Sequence, residues 1–78
     1  MNRQRRIRIE QAISLLHQAR EHLEAIHDEE RSAFENLPEN LQMSERGQKM
    51  EEGAELLDGV ICDLEDMACT LEECRGVQ

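Results

Sequence analysis

The feature that most constrains this chain is a seven-residue apolar step, kept across two long stretches. From Ile9 the a positions of the heptad are Ile9, Leu16, Leu23, Glu30 and Leu37, and the d positions are Ala12, Ala19, Ile26 and Ala33. Ile13 and Phe34 take e positions, and Leu15 broadens the stripe at g. The second half repeats the pattern, with Met50, Leu57, Leu64 and Leu71 at a and Gly53, Val60, Met67 and Cys74 at d. Ala54, Ile61 and Ala68 fill its e flank. Seven residues is close to two helical turns, so these side chains share one face that another helix must cover. No Gly or Pro interrupts residues 3–36, which predicts a first helix of roughly 50 Å at 1.5 Å per residue.

Between the two patterns lies "NLPENLQMSERG", residues 36–47, the only stretch that is not plainly helical. Leu37–Pro38 ends the first helix, because the residue before a proline disfavours the helical region. Ser44 suits the N-cap of the next helix, Glu45 suits its positive end, and Gly76 suits its stop. The expected organisation is one domain over 1–78: a helix at about 3–36, a loop at about 37–43 and a helix at about 44–75. So short a link turns the helices antiparallel. That register sets Arg5, Arg6 and Arg8 beside Glu72 and Glu73, with Leu41 and Met43 capping the core. A stripe spanning e, a, d and part of g is wider than one neighbour covers. A chain of 78 residues seldom builds enough core alone. The expected fold is therefore all-α: an antiparallel two-helix hairpin that dimerises into a four-helix bundle.

The formal net charge is −9. That opposes direct nucleic-acid binding, which needs excess Lys and Arg against phosphates, and opposes an anionic membrane surface. The charge is uneven. Residues 1–20 carry five arginines against Glu10 alone, whereas residues 44–78 carry ten acids against three bases. "MNRQRRIRIEQ" has basic residues but no apolar core of a signal peptide, and no run approaches the ~18 apolar residues of a membrane span. With three cysteines read as free thiols, the expected location is cytoplasmic.

No residue set reads as catalytic, and no cofactor is implied. His17, His22 and His27 are spaced by five, whereas chelating pairs on a helix sit three or four apart. Cys62 and Cys69 both fall at f, ~10.5 Å apart along the axis, too far for a shared zinc or a disulfide. No metal site is expected. The strongest anomaly is in the core. Glu30 occupies an a position, and the register sets it opposite Gly53, which leaves no side chain at d. Phe34, Met50 and Arg46 lie nearby. Either Glu30 and Arg46 form an internal ion pair that fixes register, with Gly53 allowing close helix approach, or they line a small pocket for a partner or an anionic ligand.

The run "AFENLPENLQMSERGQKMEEGAELLDGVICDLEDM" resembles a group of small, mostly uncharacterised acidic helical proteins of bacteria and their phages or prophages. Those proteins share an "AF-NLPE-LQ-SERG--MEE" core followed by acidic, leucine-containing heptads. The similarity spans about residues 26–73 and is tightest at 33–52. The three cysteines, Gly53 and Gly59 depart from the pattern. The resemblance implies a mobile-element protein that acts by binding and sequesters or inhibits a host or defence component. The residues expected to shape the loop-end site are Glu30, Phe34, Asn36, Pro38, Glu39, Gln42, Ser44, Arg46, Gly47, Met50 and Gly53. The expected partners are a second copy of the chain and either a host protein or a small anionic ligand. Three other readings stay open: a sponge for a nucleotide-like signal held by arginines, an acidic DNA mimic built on the helix 2 carboxylates, and a purely structural bundle.

Overall fold

The computed structural model describes residues 1–77. The chain is all-helical: α1 spans Arg3–Glu35, a one-turn α2 spans Glu39–Gln42, and α3 spans Glu45–Gly76. Asn2 starts α1, its side chain accepting from the Arg5 amide at 2.9 Å. The first turn of α1 holds arginines and no acid, which opposes the helix dipole, so this cap matters more than usual. Ser44 starts α3 by accepting from the Gly47 amide at 3.4 Å. α3 runs through Gly76 to a cap at Val77 in extended backbone. Gly76 is thus part of the helix rather than a left-handed stop.

α1 and α3 lie alongside one another and run in opposite directions. Arg75 reaches Glu10 at 3.7 Å, Arg20 reaches Glu65 at 3.8 Å, and His27 reaches Asp58 at 3.2 Å. The expected pairing of Arg5, Arg6 and Arg8 with Glu72 and Glu73 is absent among the described residues. Instead, Arg75 from the end of α3 crosses to Glu10.

The seam departs from the expected a/d pairing. The buried apolar residues are Ile13, Ile61 and Ala68, 6%, 9% and 3% exposed, and all three are e residues. The half-buried a residues flank them, whereas Ile26, Val60 and Met67 at d are exposed. A helix facing one neighbour can give it only two adjacent columns. Here those columns are a and e, where small Ala54 and Ala68 stand beside Ile61. The cost falls on α1, whose e column carries Arg6 ahead of Ile13, and Arg20 and His27 between Ile13 and Phe34.

The resulting body is a rod of 58 × 14 × 12 Å. Its radius of gyration is 17.6 Å, against about 11.5 Å for a compact chain of this length. It exposes 6084 Å², where a compact monomer of its mass exposes about 4,900 Å². No large side chain is fully buried among the described residues.

Candidate functional site

The unusual loop is built to close the end of the rod. The last carbonyls of a helix lack partners of their own. At the end of α1 the Gln42 side-chain amide donates to Phe34 O at 3.3 Å, which also accepts from the Leu37 amide at 3.0 Å, and to Leu37 O just past the helix at 3.1 Å, with Glu35 O at 3.5 Å. Gln42 is aimed there by α2. Pro38 precedes that turn, where its missing N–H costs nothing, and its carbonyl accepts from the Leu41 and Gln42 amides at 2.8 and 3.0 Å. Ser44 closes the next corner, its hydroxyl donating to Leu41 O while accepting from Gly47. Gly47 is buried because the carbonyls of Leu41 and Gln42 lie over it. A Cβ there would meet Leu41 O and the Gln42 carbonyl carbon at 2.7 Å.

These contacts assign structural work to several expected site residues. Gln42, Ser44 and Gly47 form the clasp, Pro38 and Glu39 open α2, and Asn36 caps α1. Leu41 and Met43 do not cap the core: Met43 is 80% exposed. The α2 turn faces them outward.

Glu30, Phe34, Met50 and Arg46 do converge, in two open grooves on opposite faces of the helix pair. One groove, of about 480 Å³, is lined by Glu30, Glu45, Arg46, Lys49 and Met50. It lies on the face formed by the d and g columns. Arg46 makes no ion pair among the described residues, so Glu30 and Arg46 share a groove without the register-fixing contact. Lys49 pairs with Glu45 at 3.3 Å. Gly53 lines neither groove, and a Cβ on it would meet nothing within 4 Å. It therefore does not mediate close approach of α1 and α3, and the gap expected opposite Glu30 faces outward.

The second groove, of about 520 Å³, opens on the b and e columns. Phe34, Met50 and Ala54 supply its apolar floor, with carboxylates of Glu30, Glu35, Glu51, Glu55 and Asp58 around it and Arg31 at the edge. His27 stands at its inner end, its side chain 14% exposed between Asp58 at 3.2 Å and Asp28 at 3.6 Å. His27 and Asp58 are residues that sequence reasoning missed here. The e position of His27 was the available signal, because e turned out to face α3.

The two faces also differ along their whole length. Every ion pair that joins the helices lies on the b–e side among the described residues. The d–g side carries a groove of about 660 Å³ lined by Ala12, Leu15, Leu16, Asp66, Met67, Thr70 and Leu71. Leu15, Leu56 and Met67 on this side are each more than half exposed. No helix of the described residues is long and apolar enough to cross a membrane. No protein-family model, no curated protein and no solved structure matches the chain.

Proposed function

We propose that this chain is a non-enzymatic binding protein: an antiparallel hairpin that works as a homodimeric four-helix bundle and grips a partner protein at its loop end. The observation that carries the reading is the b–e groove, in which Phe34 and Met50 form an apolar floor inside a ring of carboxylates. An apolar floor inside an acidic rim suits a partner segment carrying both basic and apolar side chains. The clasp of Gln42, Ser44 and Gly47 supports it by holding α1 and α3 at fixed spacing beneath the groove. Rigid support of this kind lowers the ordering cost of binding. The resemblance to small phage and prophage proteins suggests that the partner belongs to a host or its defence machinery, in the cytoplasm. Dimerisation is supported by surface area. The rod exposes roughly 1,200 Å² beyond a compact monomer of its mass, more than the ~800 Å² per partner of a standard interface.

The test is capture from bacterial extract by the tagged full chain, compared with two variants whose helicity is checked first. Glu51→Lys with Glu55→Lys reverses the exposed rim of the groove. Glu21→Lys with Glu72→Lys reverses exposed acids away from both that groove and the d–g face. The proposal expects a specific partner on the wild type that is lost at least tenfold with the rim variant and retained with the distant one. Equal loss with both variants would instead indicate general acidic mimicry of DNA, and retention with both would place binding elsewhere.

A further inference from the structure

The two halves of the rod carry very different charge. The open end, residues 1–12 with 69–78, holds five arginines against three acids, or +2. The loop end, residues 27–58, holds ten acids against three bases, or −7, and the stretches between hold five acids and Arg20, or −4. With a rod 58 Å long and a Debye length of about 8 Å at physiological salt, each end responds only to what lies beside it. The d–g face is the surface left for a neighbour. Leu15, Ile26, Leu56, Val60 and Met67 lie exposed along it, no ion pair there joins the helices among the described residues, and the excess area matches a dimer interface.

We infer that a second copy docks on the d–g face head-to-tail, with the two loops at opposite ends of the bundle. This rests on the homodimer proposed above and settles which face and which orientation it uses. Docking with loops together would bring two −7 ends side by side. Docking head-to-tail sets each −7 end beside a +2 end. In a twofold bundle of this kind α1 abuts the partner's α1 in the opposite direction. The twofold axis crosses α1 and α3 at one level, between the Arg20–Glu65 and His27–Asp58 pairs, so the d columns meet with small Ala19 facing large Ile26, Val60 facing Met67, and small Gly53 facing Cys74. The open space outside Gly53 is filled by the neighbour. Arg5 and Arg8 come to lie over the partner's loop-end groove of Glu30, Glu45, Arg46 and Lys49. That groove becomes interface, so the b–e groove alone stays free for a third molecule.

The wild-type sequence supplies its own test, because Lys49 is its sole lysine. The α-amine of Met1 and the Lys49 amine lie at opposite ends of one rod, too far apart for a short amine-reactive crosslinker. Head-to-tail docking brings Met1 of one copy near Lys49 of the other. Crosslinking the purified dimer and mapping the products by mass spectrometry should give Met1–Lys49 links between chains. Lys49–Lys49 links in their place would overturn the orientation while leaving the dimer intact. A second readout uses spin labels at Asn40→Cys, with Cys62→Ser, Cys69→Ser and Cys74→Ala. The expected separation approaches the 58 Å length of the rod. A separation near two helix diameters, about 20 Å, would overturn the orientation, and absence of any dipolar coupling with a monomeric mass would overturn the dimer as well.

Discussion

Gly47→Ala isolates the clasp, because two opposing effects act at one atom. In an ordinary helix this change stabilises by about 1 kcal/mol, since glycine costs more backbone entropy than alanine. At position 47 the new Cβ stands 2.7 Å from Leu41 O and from the Gln42 carbonyl carbon, and nearer still to the Gln42 oxygen. Carbon contacts are comfortable only near 3.5–4.0 Å, so α2 must retreat from α3 by roughly 1 Å. These atoms are backbone, and no rotamer change relieves them. The retreat pulls Gln42 from Leu37 O and Phe34 O, about 0.5–1.5 kcal/mol each. It also loosens the Ser44 cap, about 1 kcal/mol. The net effect is a destabilisation of about 1–3 kcal/mol. Gly59→Ala is the matched control: its Cβ meets nothing within 4 Å, so it should stabilise by up to about 1 kcal/mol. Urea unfolding followed by circular dichroism, at one fixed protein concentration, reads both. Equal stabilisation by the two variants would refute the clasp.

Three further outcomes follow from the same geometry. Gln42→Ala removes the amide that serves the end of α1 and should lower stability by about 1–2 kcal/mol, read by the same unfolding curves. Glu65→Gln cuts the ion pair to Arg20, in which Glu65 is half exposed; thermal melts should shift by less than about 1 kcal/mol equivalent, since exposed pairs contribute little. Met67→Glu places a charge on the exposed d–g face. It should leave a lone hairpin's stability nearly unchanged but raise the dimer dissociation constant at least tenfold, measured by sedimentation.

The two long helices and their loop-side ends were legible because heptad spacing, Pro38 and Ser44 each act through local backbone physics; the outer ends, at the Asn2 cap and beyond Gly76, were not. The choice of seam was not. Columns d and e both border column a, and periodicity alone does not say which of them meets the neighbour. The structure chooses e, where Ile13, Ile61 and Ala68 are buried. That choice turns Val60 and Met67 outward and draws His27 against Asp58. The loop was legible as a stop and a start, but its content was not. Gln42 looked like one polar residue among several until α2 aimed it at the carbonyls of α1. Glu30 was singled out as a break in the pattern. It lines both loop-end grooves, whereas its presumed counterpart Gly53 lines neither. A glycine at d could not reveal from sequence whether its open side faced α1 or a second copy of the chain.

The account turns on whether the apolar d–g face is covered by another copy, and sedimentation equilibrium at micromolar concentration measures this directly. The wild-type chain should sediment at twice its 9.1 kDa mass, and Val60→Glu should shift it toward the single-chain mass while circular dichroism still shows helix. A wild-type chain that is fully helical, cooperatively folded and monomeric at that concentration would contradict the account.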